Sequence, residues 1–251
     1  MYPVRTVERA ITILLQIAGS GEPIGVSEIS RATGVDKATA LRILATLEQF
    51  RLVDRDAGRR YVPGPGLARL AASWRPDLRD IAEPHLQSLR RATGEAVQLV
   101  SPRGMERVIV LALPGTQELS VIPTVGQSHP IYVGASGKVF MAFMPEAERA
   151  RIIEATALKP LTPQGITDRA TFLAALRQVL ADGYAVSTGD VTPGASAIAA
   201  PVFDASPRLV AAVSLRAPSV RMPAERIAQA APLVIEAADA ISRDLGHAPQ
   251  P

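Results

Sequence analysis

The sequence contains no cysteine and few aromatic or histidine residues, and each shortage excludes a class of function. Without cysteine, the 251-residue chain has no disulfide framework, no thiolate zinc site and no cysteine nucleophile. Aromatic residues make up 4% of the chain, which argues against stacking platforms for single-stranded nucleic acid. The three histidines, His85, His129 and His247, have no partner at metal-ligand spacing. We therefore expect no metal, no cofactor and no enzymatic activity.

Long hydrophobic runs and a strong excess of one charge are also missing. No apolar run approaches the ~18–20 residues of a membrane span, and the N-terminal apolar stretch is too short for a signal peptide. We therefore expect a soluble cytoplasmic protein. The 27 Lys and Arg residues exceed the 24 Asp and Glu residues by only three, which is too few to predict nucleic-acid binding from composition. At ~100–200 residues per domain, the length suggests one large domain or two small ones.

Residues 1–62 are predicted to form three helices and a β-hairpin. In the first helix, Thr6 is the expected N-cap and one apolar stripe follows helical spacing. That stripe consists of Val7, Ala10, Ile11, Leu14, Leu15 and Ala18. A short helix follows Ser27 and ends at Gly34, and a third, capped by Asp36, runs over about 37–49 with four apolar side chains facing inward. These four are Ala40, Ile43, Leu44 and Leu47. Leu52-Val53 and Tyr61-Val62 are predicted to be the two short strands.

The second and third of these helices have the spacing of a helix-turn-helix motif. The turn between them is short and contains Gly34, and in such motifs the second helix enters the major groove of DNA. Segment 37–60 holds six Lys or Arg residues against three acidic ones, which equals the whole net charge of the chain. The alternative is a generic three-helix unit with a solvated charged face. Candidate DNA contacts are Ser27, Lys37, Ala38, Thr39, Arg42, Thr46, Arg59 and Arg60.

The rest of the chain alternates helices and strands without a regular repeat, which indicates an α+β fold. Segment 63–92 is predicted to be a proline-rich linker with helices, broken at Trp74-Arg75-Pro76 and kinked or restarted at Pro84. Predicted strands lie at 96–101, 107–113, 119–125, 184–187, 197–203 and 209–215. Predicted helices lie at 136–143, 146–157, 169–181 and 223–245. Arg216 ends a nearly continuous apolar hairpin, and the pattern leaves open whether it is simply a water-exposed strand end.

Several short motifs occur along the chain in a fixed order. In the N-terminal part they are Val7-Glu8-Arg9-Ala10, Ile13-Leu14, Ser27 to Gly34, Lys37-Ala38-Thr39, Arg42-Ile43-Leu44, Tyr61 and Gly64-Pro65-Gly66-Leu67. In the C-terminal part they are Thr93-Gly94-Glu95, Ala135-Ser136-Gly137-Lys138, Ile166-Thr167-Asp168, Gly183 to Val186, Gly194 and Ile198 to Val202. Together they cover about residues 5–245 and resemble the IclR family of transcriptional regulators.

The resemblance implies a winged helix-turn-helix domain at 1–62, a linker at 63–92 and a GAF-like effector-binding domain at 93–247. It also implies a homodimer or homotetramer that binds an inverted repeat in double-stranded DNA, as repressor or activator. The effector pocket it implies is lined by Val121, Ala135, Ser136, Ser187, Ala197, Ser214 and Arg216.

This sequence departs from the family pattern at three pocket positions. Family members have an acidic residue where Ser187 stands, a cysteine where Ala197 stands and a small hydroxyl residue where Arg216 stands. Since a guanidinium matches a carboxylate, we expect a small anionic organic acid as effector. Two alternatives stay open: a regulator that no longer responds to ligand, and a small-molecule-binding protein or enzyme whose N-terminal helices only dimerise.

Overall fold

The computed structural model describes residues 3–73, 77–121 and 123–248. The chain divides into two compact units, Met1–Arg75 and Pro76–Pro251. The two helices of the predicted linker fall one in each unit. The predicted break at Trp74-Arg75-Pro76 lies outside the described residues.

The first unit is a helical bundle with a small β-hairpin. Its elements are α1 (Arg5–Gly19), α2 (Val26–Thr33), α3 (Lys37–Gln49), β1 (Val53–Arg55), β2 (Tyr61–Pro63) and α4 (Pro65–Ser73). Strands β1 and β2 pair antiparallel, so a two-stranded wing follows the three helices. The core contains the four predicted inward residues of α3 together with Ile13, Ile17 and Ile29. The predicted winged helix-turn-helix architecture is therefore confirmed.

The turn between α2 and α3 is held by two caps. Gly34 ends α2 in the left-handed conformation, with φ of 69°, which glycine adopts without steric cost. Asp36 begins α3 by accepting a hydrogen bond from the Thr39 backbone N–H at 2.9 Å. Helix α2 begins two residues earlier than predicted, at Val26, because the Glu28 side chain caps the Gly25 backbone N–H at 2.8 Å.

Two predictions for α1 are wrong. The N-cap is Val4 rather than Thr6, and it makes no side-chain cap hydrogen bond. The buried face is formed by Ile13 and Ile17, whereas most of the predicted stripe is exposed. Helical spacing fits both faces, because α1 is apolar over more than half of its circumference.

The second unit is an antiparallel sheet covered by helices on both faces. Its helices are α5 (Leu78–Thr93), α6 (Gly134–Phe143), α7 (Glu146–Thr156), α8 (Arg169–Asp182) and α9 (Ala224–Asp244). Its strands are β3 (Ala96–Arg103), β4 (Glu106–Leu113), β5 (Ser128–Pro130), β6 (Ala185–Thr188), β7 (Ala195–Phe203) and β8 (Leu209–Pro218). The strand order is β5-β4-β3-β8-β7-β6, which confirms the α+β class.

The alternation of side chains across the strands creates two separate cores. One face of the sheet packs Leu99, Val213 and Leu215 against α5 and α9. The other face packs Val100, Ile109 and residues of β7 and β8 against α6, α7 and α8. Because both faces are covered, the inner strands are apolar nearly throughout, and any polar side chain there needs a specific partner.

Two predictions for the second unit need correction or refinement. The described residues of the predicted strand 119–125 lie in no strand, and Leu119 and Val125 are exposed. Pro123 lacks a backbone N–H, and the edge strand forms later, at Ser128–Pro130. Helix α5 continues through Pro84 without a restart. No helix in the described part of the chain is long and apolar enough to cross a membrane.

Candidate nucleic-acid interface and candidate effector cavity

The residues predicted to contact DNA lie together on the surface of the first unit. Seven of the eight are exposed, and Thr39 is half-buried. Lys37, Ala38 and Thr39 form the first turn of α3, and Arg42 and Thr46 continue one turn and two turns further along the same helix. Arg59 and Arg60 lie between the two wing strands. The outer face of α3 carries small and hydroxyl side chains, so its backbone can approach a groove closely.

The cations of this surface differ in whether an acidic side chain forms an ion pair with them. Arg55 is paired with Glu48, and Arg60 lies 3.3 Å from Asp56. Within the described residues, Lys37, Arg42 and Arg59 form no ion pair. These three exposed cations are therefore available to phosphate oxygens, which supply most of the affinity of proteins for DNA.

Six of the seven predicted effector residues line one cavity in the second unit. The six are Ala135, Ser136, Ser187, Ala197, Ser214 and Arg216. The cavity lies between the first turn of α6 and the sheet. The strand register brings three of these residues together, because Ser187 pairs with Ala197 and Ala197 pairs with Arg216 across three neighbouring strands. Val121 is half-buried and is not among the residues that line the cavity.

Arg216 is buried rather than exposed at a strand end. It retains only 9% of its accessible surface, and burial lowers the pKa of its guanidinium. Within the described residues it forms no ion pair and no side-chain hydrogen bond. A buried cation without a partner is costly for the fold, so its presence in the cavity wall points to an anion as its counterpart.

Arg107 is a second buried cation in the same cavity, and the sequence analysis missed it. It is 4% exposed, and its Nε donates a hydrogen bond to the Val133 carbonyl at 2.8 Å. Burial, and to a smaller degree Arg216, lowers the pKa of Arg107 to about 10, while Asp190 opposes this shift. The period-two pattern at the start of β4 contained the signal, because Arg107 lies two residues before the buried Ile109, on the same face of the strand.

The acidic residue of the cavity is already engaged by another cation. Asp190 lies 3.4 Å from the Lys138 ammonium, which also donates a hydrogen bond to the Val186 carbonyl at 2.8 Å. Lys138 and Asp190 therefore balance each other, and Arg107 and Arg216 remain without a carboxylate partner among the described residues. The polar lining also includes Gln98, which the sequence analysis did not single out. No cluster of three metal-ligating side chains occurs among the described residues.

Comparisons with known proteins cover both units. Residues 6–57 match the IclR helix-turn-helix domain, and residues 71–243 match the bacterial transcriptional regulator IclR C-terminal domain. The chain is 31% identical over 225 residues to the HTH-type transcriptional regulator KipR of Bacillus subtilis, covering 88% of this chain and 90% of KipR. It is 29% identical over 246 residues to the transcriptional repressor AllR of Escherichia coli, covering 96% and 90% of the two chains.

Solved structures agree with these matches over almost the whole chain. A putative IclR transcriptional regulator from Silicibacter sp. superposes with a TM-score of 0.88 at 25% identity, covering 98% of each chain. HmgR of Pseudomonas aeruginosa superposes with a TM-score of 0.82 at 27% identity, covering 97% of this chain and 99% of HmgR.

A helix-turn-helix unit with exposed unpaired cations, followed by a separate sheet unit, defines a DNA-binding transcriptional regulator rather than an enzyme. The two domain matches span most of the chain in this order. The chain belongs to the IclR family of transcriptional regulators.

Proposed function

We propose that this regulator binds an inverted-repeat operator as a homodimer or homotetramer and responds to a small carboxylate held in the cavity. The proposed division is a DNA-binding domain at 1–62, a linker at 63–92 and a GAF-like effector domain at 93–247. The observation that carries the effector assignment is Arg216, a buried guanidinium in a cavity wall with no anionic partner among the described residues.

The proposed DNA contacts are divided between base reading and backbone contact. Arg42 on the outer face of α3 is placed to read a guanine or hold a phosphate, and Arg59 and Arg60 on the wing meet the backbone or minor groove. The remaining proposed contacts, all on α2 and α3, are Ser27, Lys37, Ala38, Thr39 and Thr46. A dimer with one such surface per protomer requires two half-sites one or two helical turns apart.

The proposed effector site uses one strong anchor. The Arg216 guanidinium binds the carboxylate as a fork, while Ser136, Ser187 and Ser214 line the same cavity with hydroxyl groups. A ligand changes operator affinity only through different affinities for the DNA-competent and DNA-incompetent arrangements of the dimer. The linker connects the two domains and is the proposed lever; its Pro76 lies outside the described residues.

The test combines calorimetry with DNA binding. A panel of small carboxylates is titrated into the wild-type protein, Arg216→Ala and Arg208→Ala, the last being an exposed arginine on the same chain segment. Arg216→Ala is expected to weaken the best carboxylate at least about tenfold, because a charge-assisted fork is lost. Arg208→Ala is expected to bind it like the wild type.

The same carboxylate is then added to the protein bound to the DNA upstream of its own gene. It is expected to shift the operator affinity of the wild type and to leave that of Arg216→Ala unchanged. Unaltered carboxylate affinity in Arg216→Ala refutes the site. Carboxylate binding without any change in operator affinity identifies a regulator that no longer responds to its ligand.

A further inference from the structure

The cavity contains more positive charge than one carboxylate can balance. Arg107 and Arg216 both line it, both are at least nine-tenths buried, and neither forms an ion pair with a described residue. Asp190, the acidic residue of the lining, is engaged by Lys138 at 3.4 Å. A monocarboxylate on Arg216 therefore leaves Arg107 as a buried cation without a counter-charge, which is unfavourable in a site shielded from water.

The surroundings of Arg107 add further positive potential. Its guanidinium lies against the first residue of α6, since a Cβ built on Gly134 would be 3.0 Å from Arg107 Nη2. Helix α6 has ten residues, and its N-cap, Val133, provides no side-chain acceptor for the first backbone N–H groups. A cation beside the positive end of a helix is unfavourable, whereas an anion there is stabilised by both the guanidinium and the free N–H groups.

The two guanidiniums reach the cavity from different parts of the sheet. Arg216 is on β8, opposite Ala197 of β7 and Ala96 of β3. Arg107 is on β4, opposite Pro102 of β3 and His129 of β5. The strand β3 lies between β4 and β8, so the two arginines do not lie side by side on neighbouring strands. This favours two separate anionic groups over one compact anion gripped from both sides.

We propose that the cavity has two anion subsites and binds a small dicarboxylate, with one carboxylate on Arg216 and the other on Arg107 and the first turn of α6. This inference rests on the proposed function, because it adds a second subsite to the same effector cavity.

The experiment compares acids that differ only in the second carboxylate. Butanoate against succinate, and pentanoate against glutarate, are titrated by calorimetry into the full-length protein at constant ionic strength. In the wild type, at least one diacid is expected to bind about tenfold or more tighter than its monoacid, since the second charge-assisted interaction is added. This comparison needs no variant and is independent of any folding defect.

The variants assign each carboxylate to its subsite. Arg107→Gln is expected to weaken the diacid more than the monoacid and so to reduce the diacid preference to within about threefold. Arg216→Gln is expected to weaken both acids, and Arg208→Gln, an exposed arginine, is expected to change neither. Arg107→Lys keeps the positive charge and is expected to retain most of the preference, which a purely structural role of Arg107 would not explain. A melting curve shows that each variant is folded.

Three outcomes overturn the inference. Equal affinity for monoacids and diacids in the wild type, or equal weakening of both by Arg107→Gln, shows that the cavity has no second anion subsite. Neither result contradicts a carboxylate effector bound to Arg216. Tighter binding of inorganic phosphate than of either diacid assigns both arginines to one compact anion. If neither member of either pair binds, the two-subsite inference fails, and the carboxylate panel with Arg216→Ala decides separately whether the proposed effector site stands.

Discussion

At the scale of single residues, the pKa of His129 lies far below its ordinary value. It lies opposite Arg107 on the edge strand β5, and its Nε2 is buried without a hydrogen-bond partner in the described structure. Burial, Arg107 and Arg216 together lower the pKa of His129 from 6.5 to about 4. The imidazole is therefore neutral in the folded protein at neutral pH, beside two cations.

This shift predicts a stability that falls with acidity. Between pH 6.5 and pH 4 the unfolded chain binds a proton at His129 and the folded chain does not, so the free energy of unfolding decreases as the pH is lowered. The full fall in pKa corresponds to about 3.4 kcal/mol, and because the imidazole is only half-buried, solvent screening reduces the expected contribution to about 2 kcal/mol, measured by urea unfolding at a series of pH values. His129→Gln, which cannot titrate, is expected to show a correspondingly shallower pH dependence. An identical pH profile for both proteins contradicts the assignment.

The burial of single side chains was also where sequence reasoning was weakest. The pattern left Arg216 undecided, because its burial depends on α6 covering that end of β8, and α6 is distant from it in sequence. Arg107 was overlooked although it shares the buried face of β4. Val121 was carried over from the family, but the described residues around it lie in no strand.

At the scale of elements, the first turn of α3 is held by a single side-chain cap. Asp36 accepts the Thr39 N–H, and hydrogen bonds from Thr39 lower the pKa of the Asp36 carboxyl. The first turn that this cap holds carries the proposed DNA contacts Lys37, Ala38 and Thr39. Helix α8 in the other unit has an equivalent cap, with Asp168 accepting the Thr171 N–H at 2.7 Å.

This pair of caps gives a matched prediction. Asp36→Ala and Asp168→Ala are each expected to lower the free energy of unfolding of their own unit, because each removes the side-chain acceptor of an N-cap hydrogen bond. Only Asp36→Ala is expected to weaken operator binding, because it frays the first turn of α3. Asp36→Asn removes the charge but keeps the cap, so it is expected to retain operator affinity. Fluorescence anisotropy on operator DNA measures the effect, and wild-type affinity in Asp36→Ala argues against contact through that turn.

Elements with local signals were predicted well, and elements fixed by distant packing were not. The third helix was predicted at its observed bounds because Asp36 and the apolar spacing both lie within it. The prediction of a strand at 119–125 was wrong. Its apolar residues suggested a strand, but the sheet pairs β4 with the later strand β5 instead. In α1, apolar spacing alone did not decide which of two faces packs inward, since that depends on α2 and α3.

At the scale of the whole molecule, the exposed face of α1 suggests how two protomers meet. Val4, Val7, Ile11 and Leu15 follow helical spacing, and each keeps at least 52% of its accessible surface. A contiguous apolar stripe of this kind is rarely left in water and commonly marks a protein interface. Because α1 belongs to the DNA-binding unit, a dimer formed through α1 would contain two copies of α3 and therefore two sets of the proposed DNA contacts.

We therefore expect the stripe to be the dimer contact that makes operator binding bivalent. Leu15→Glu places a charge on this stripe and is expected to produce smaller particles in sedimentation at micromolar concentration. Leu180→Glu, a half-exposed leucine on α8, is the matched control and is expected to keep the wild-type assembly. Since two half-sites bound together gain affinity through effective concentration, Leu15→Glu is also expected to lose about a hundredfold or more in operator affinity. If Leu15→Glu remains a dimer, the dimer contact does not involve this stripe. Loss of operator affinity without dissociation would instead place Leu15 near the DNA.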